Sequence, residues 1–134
     1  MIDAFTFNTT KSILFRAGAA ADIANSAGEL LGARCLFVTD PGLRSLGLCD
    51  PALASLKAAG INVTVFDAVE ADPSLNTLTS ATEVGRAFGA TSVIGFGGGS
   101  SQDVAKLCAL LLGAGGTLDD AWGVGNAKGP RLPL

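Results

Sequence analysis

The sequence predicts an α/β domain, a parallel sheet covered on both faces by helices. Three observations lead there. Short apolar runs alternate three times with stretches of helical periodicity, joined by connections of a few residues. The last of these runs passes straight into a triple glycine. The 134 residues are 49% apolar and 16% charged, with a mean hydropathy of +0.46, the balance of a core-rich folded chain.

At the N-terminus, Phe5-Thr6-Phe7 and Ile13-Leu14-Phe15 flank a turn-like Asn8-Thr9-Thr10-Lys11, so a β-hairpin is expected. Ile23, Ala24, Ala27, Leu30 and Leu31 then share one helical face across 19–31, and Gly32 suits a helix end. Cys35 to Thr39 reads as a strand buried on both faces, turning at Asp40-Pro41-Gly42. A helix is expected over 51–59, with Pro at its start and Gly60 as its stop. Ile61 to Phe66 follows as a β-branched strand.

Asp72-Pro73-Ser74 opens the next helix, with Asp72 read as its N-cap. Leu75, Leu78, Ala81, Thr82, Gly85 and Phe88 form its buried stripe, and Gly89 ends it. Thr91 to Phe96 is the third strand, and 101–112 is helical. From Gly113 the texture changes to an irregular, glycine-rich tail over 113–134, with at most one helical turn at Asp119-Asp120-Ala121-Trp122. The whole chain, 1–134, reads as one domain. Its apolar end at Leu132-Pro133-Leu134 suggests an element cut short.

Composition narrows the chemistry. There is no histidine and no tyrosine, so a His-ligated metal, a Ser-His-Asp triad and a histidine base are excluded from this chain. No catalytic residue is assigned. Net charge is −3 and the nine Lys and Arg are scattered, which argues against a nucleic-acid partner. No apolar run approaches the roughly 20 residues that span a bilayer. The N-terminus lacks a basic, then apolar, leader pattern, so a cytoplasmic protein is expected. Cys35, Cys49 and Cys108 form no metal or redox spacing and are expected to be reduced and buried.

The chemistry-bearing feature is the strand–Gly97-Gly98-Gly99-Ser100–helix unit. Glycines let the backbone turn and approach a ligand, while the N–H groups and dipole of the helix start suit a diphosphate. Ser100 and Ser101 could add donors or cap the helix. The competing reading is a glycine turn needed only for close strand–helix packing. The spacing is neither G-x-G-x-x-G nor a Walker motif.

Asp103, placed on the first turn beside the glycines, is either a cofactor contact or half of a solvated pair with Lys106. Asp40 ends the first strand, where open α/β sheets bind ligands. A carboxylate there could bond a ribose hydroxyl and repel a 2′-phosphate, favouring NAD over NADP. It could equally be an Asx-turn residue.

Gly97-Gly98-Gly99-Ser100-x-x-Asp103-x-Ala105-Lys106 resembles the signature of the iron-containing (group III) alcohol dehydrogenases. So do Val38-Thr39-Asp40 before Gly42-Leu43, the Glu70-x-Asp72-Pro73 turn, and the closing Lys128-Gly129-Pro130-x-Leu132-Pro133. The resemblance runs from Phe5 to Leu134. It implies a Rossmann-like domain binding NAD or NADP, with Gly98, Gly99 and Ser100 at the pyrophosphate and Gly97 also among the cofactor-binding residues. It puts Asp40 at the adenosine ribose and Asp103 towards the nicotinamide. Asp72, at the end of the loop after the second strand, is a further candidate cofactor contact and stands where the family often carries Asn. A homodimer through the N-terminal strands is also implied.

In that family a helical second domain supplies one Asp and three His ligands to Fe²⁺ or Zn²⁺. The histidine-free chain lacks that part, so it is expected to be truncated relative to the family and to have no dehydrogenase turnover alone. The alternative expectation is a stand-alone nucleotide-binding or interaction module.

Overall fold

A computed structural model describes residues 4–134. Its centre is a three-stranded parallel sheet in the order β2-β1-β3, with β1 Arg34–Val38, β2 Asn62–Phe66 and β3 Ser92–Gly95. Along β1 side chains alternate between faces, and both faces are buried. Leu36 and Val38 join Val93 against two helices, α4 (Leu75–Phe88) and α5 (Gly99–Ala114). Cys35 and Phe37 join Ile94 on the other face against α1 (Ile23–Leu31) and α3 (Asp50–Ala58). The sheet is therefore covered on both sides, as the alternating pattern predicts. β2, at the edge, is only half-buried.

Local chemistry explains most of the element ends. Ser74 caps α4 by accepting the Thr77 N–H at 3.2 Å, and Gly89 closes it in a left-handed conformation. Asp72 is not the cap. It lies two residues earlier, at φ +50, the only non-glycine residue with positive φ among the described residues. The Asp40-Pro41-Gly42 corner is also more than a turn. It opens a short helix, α2 (Pro41–Ser45), with Asp40 as N-cap. The helical turn expected near Asp119 is a 3₁₀ turn at Leu118–Ala121, closed by a reciprocal Thr117–Asp120 capping box.

The N-terminal hairpin does not form. Residues 4–18 carry no strand, and Phe5, Phe7, Ile13 and Phe15 are exposed. An isolated two-stranded ribbon is marginal in water unless a third strand or a helix covers its apolar side, and neither sheet edge pairs with this one.

The tail is irregular but docked. A Cβ on Gly113 would lie 2.6 Å from the Pro130 carbonyl, so glycine lets the returning chain cross α5 at close range. Leu132 N–H then donates to the Ala109 carbonyl, and Val93 N–H of β3 donates to the Pro133 carbonyl at 2.9 Å. All three cysteines are free and buried, and burial pushes the Cys35 thiol up to about 11. No described helix is long and apolar enough to cross a membrane.

Candidate nucleotide site

The strand order creates the site. From β1 the chain crosses to β2 on one side, then returns through α4 to β3 on the other. Connections diverge between β1 and β3, and such a switch point leaves a crevice outside the carboxyl ends of the strands. Asp40 lies at the end of β1 and Gly97-Gly98 at the end of β3. A cavity of about 410 Å³ opens there, lined by Asp40, Pro41, Val69, Glu70, Ala71 and the Gly98–Ser101 segment.

The glycines divide into two kinds. A Cβ on Gly95 would fall 2.8 Å from the Ala105 Cβ, and one on Gly97, at φ +135, 3.0 Å from Leu43 Cδ1. These two serve turning and close strand–helix packing. Gly98 and Gly99 are exposed, have no positive φ, and a Cβ on either would meet nothing within 4 Å. Neither the fold nor the packing requires glycine there. What glycine does provide is open access to the first turn of α5.

That turn begins directly after the loop. Gly98 is the N-cap, no side chain caps the helix, and its first ladder bond runs from Gln102 N–H to the Gly98 carbonyl. The preceding N–H groups are the orphan donors of a 16-residue helix, pointing out from its positive end. Gln102 braces the loop by donating its side-chain N–H to the Gly97 carbonyl at 3.0 Å. Ser101 is buried under the loop, and Ser100 is half-buried at the cavity.

Asp40 is the Asx-turn residue that the sequence allowed, and it also stands at the candidate cavity. Oδ1 accepts the Leu43 N–H at 2.9 Å, the Asx-turn bond that caps α2, and the same side chain lines the cavity. No Lys or Arg lines this cavity, so the end of α5 is its source of positive potential.

Asp72 and Asp103 lie apart from that cluster. They line a neighbouring hollow with Ser74, Leu78, Val104 and Trp122. Because α5 starts at Gly99, Asp103 falls on its second turn, one turn beyond the glycines. It pairs with Lys106 at 3.2 Å, with both side chains well exposed, an interaction of about 0.2–1 kcal/mol. Glu70, which the sequence did not single out, also lies at the candidate cavity. Its carboxylate accepts the Ser74 N–H at 2.9 Å and the Thr77 hydroxyl at 2.6 Å, and the residue lines the same cavity as Ser100. The Glu70-x-x-x-Ser74-x-x-Thr77 spacing was the signal available for it.

The sheet, its switch-point crevice and the strand–glycine–helix turn define a Rossmann-like domain. The chain belongs to the iron-containing alcohol dehydrogenases: the family model of that description matches residues 10–134. It is 36% identical over 130 residues to sulfoacetaldehyde reductase of Bilophila wadsworthia, covering 97% of this chain and 34% of that one. Alcohol dehydrogenase from Oenococcus oeni has the same fold, with a TM-score of 0.87 and 28% identity, over 98% of this chain and 35% of that one. NADH-dependent butanol dehydrogenase A from Thermotoga maritima matches with a TM-score of 0.79 and 29% identity, over 90% and 30%. The chain thus spans about a third of the length of these relatives.

The family name implies iron, and the residues here do not fit it. The chain has no histidine, and no group of three or more Cys, Asp or Glu converges among the described residues.

Proposed function

We propose that this chain is the NAD-binding part of an alcohol dehydrogenase-like oxidoreductase, which in its complete form passes hydride between an alcohol and the nicotinamide. The observation that carries the reading is the pair Gly98 and Gly99, glycines with no internal reason to be glycine, in front of the uncapped N-terminus of α5. In this reading the diphosphate sits on the N–H groups at the start of α5, with Gly97 shaping the turn beneath and Ser100 beside it. The nicotinamide, when bound, supplies the hydride chemistry. The chain's own residues bind, orient and select.

Asp40 accepts a ribose hydroxyl and disfavours a 2′-phosphate, because the cavity offers no cation to offset that added charge. The NADH-dependent relative is consistent with this preference. Asp72 and Asp103 face the part of the ligand that continues along α5. Without metal donors the chain alone has no alcohol dehydrogenase turnover. Its exposed Phe5, Phe7, Ile13 and Phe15 support pairing with a second copy, which light scattering across concentration tests.

Calorimetric titration with NAD and NADP tests the main reading. Saturable heat with NAD and weaker binding of NADP are expected. No heat at millimolar NAD contradicts nucleotide binding and favours a structural or interaction module.

A further inference from the structure

The loop between β2 and α4 forms one wall of both hollows. Val69, Glu70 and Ala71 face the Gly98–Ser101 segment, and Asp72, Pro73 and Ser74 face Asp103 and Val104. At the start of the second stretch the backbone kinks at Asp72, whose φ of +50 is left-handed, a conformation that side-chain-bearing residues adopt uncommonly. Val69 anchors one end of the loop, buried and donating its N–H to the Thr39 carbonyl at 3.3 Å.

Glu70 anchors the other end by reaching across the kink. Its Oε1 accepts the Ser74 N–H at 2.9 Å, and its two oxygens lie 2.6 and 2.7 Å from the Thr77 hydroxyl. Helix α4 does not need Glu70 for its cap, since Ser74 already accepts the Thr77 N–H. The additional bonds close a ring over Asp72 and fix where the loop stands relative to α5. They also bind the Glu70 charge to the N-terminus of α4, where the helix dipole favours it. The carboxyl is accordingly held down to about 2, chiefly by the Thr77 hydroxyl and then by the Ser74 N–H.

We propose that Glu70 is a positioning residue for the nucleotide. It holds the 70–74 loop at the distance from α5 that seats the sugar portions of the ligand, and it makes no contact with the diphosphate. This rests on the nucleotide-binding reading above. Glu70→Ala should weaken NAD binding on the order of tenfold, the effect of misplacing one or two hydrogen bonds. Thr77→Val, which leaves Glu70 in place but removes its hydroxyl partner, should weaken it several-fold in the same direction. Glu70→Gln, which keeps one acceptor, should recover part of the loss.

The test is calorimetry with NAD on the full chain and these variants. Amide NMR titration with inorganic pyrophosphate accompanies it, and circular dichroism establishes that each variant is folded. Weakened NAD binding in the folded variants, with pyrophosphate affinity changed less than about twofold, is the expected result. Equal loss of NAD and pyrophosphate binding overturns the proposal, because Glu70 then supports the phosphate site itself. NAD affinity unchanged in Thr77→Val and in whichever Glu70 variant folds overturns it as well. If the unsubstituted chain binds pyrophosphate but not NAD, or binds neither, the nucleotide reading fails and this proposal fails with it.

Discussion

A Cβ placed on Gly97 would lie 3.3 Å from Asp40 Oδ2, so the ends of β3 and β1 meet at the carboxylate that lines the candidate site. Gly97→Ala should therefore destabilise the fold as well as disturb the site. The backbone there is at φ +135, which an alanine adopts only under strain of about 1–3 kcal/mol. A denaturant titration measures this directly, as a lower midpoint at unchanged slope.

Gly98→Ala and Gly99→Ala should behave in the opposite way. Added methyls meet no atom of the chain, so stability should move by less than about 1 kcal/mol, and Gly99, inside the helix, could gain slightly. Nucleotide affinity should fall in both, because the methyls occupy the approach to the orphan N–H groups. Thermal melts and NAD titrations on the same samples separate the two effects.

Asp40→Ala and Asp40→Ser separate capping from selection. Alanine removes the bond to the Leu43 N–H and should cost about 1 kcal/mol. Serine can still cap α2 but carries no charge. Relative affinity for NADP over NAD should rise in both variants, while only the alanine variant loses the cap.

Gly113→Ala should release the tail. Its methyl would meet backbone at 2.6 to 2.8 Å, at Pro130, Arg131 and Leu132, and backbone cannot yield as a flexible side chain does. A loss of about 1–3 kcal/mol is expected. Faster hydrogen exchange at the Val93 amide, which donates to the Pro133 carbonyl, would locate the release at β3.

The Glu70 clamp should also register in acid. Its carboxyl titrates near 2 in the folded chain, against an ordinary 4.5, so the unfolded chain takes up the proton first. The clamp's contribution to stability is whole above about 4.5 and is lost as pH falls towards 2. Comparing Glu70→Gln with the parent by thermal melts from pH 6 to pH 2.5 should give a difference that shrinks as pH falls.

Much of this was legible in the sequence because the signals were local. Cys35 to Thr39 is apolar throughout because β1 is central and buried on both faces, and Gly89 marks a true helix end. The Gly97–Ser100 turn appears where a strand must hand over to a helix. What the sequence hid is of two kinds, one set by what can cover a segment and the other by local competition that spacing alone does not decide. Whether Phe5 to Phe15 pairs is decided by what else can cover it, which local β-propensity does not report. Asp72 looked like a cap because it precedes Pro73, yet Ser74 outcompetes it through Thr77. Asp40 offered two roles in the sequence, and one side chain serves the cap while lining the cavity. Asp103 moved from the first turn to the second because α5 begins at Gly99, two residues before the 101–112 stretch that the sequence marks as helical.

The most direct test of the central claim is an amide NMR titration of the chain with ADP-ribose. The account predicts that the largest shifts fall on Gly98, Gly99, Ser100 and Ser101, with Asp40 following and the exposed N-terminal segment unmoved. Shifts that leave those four amides in place, or no shift at millimolar ligand, would contradict it.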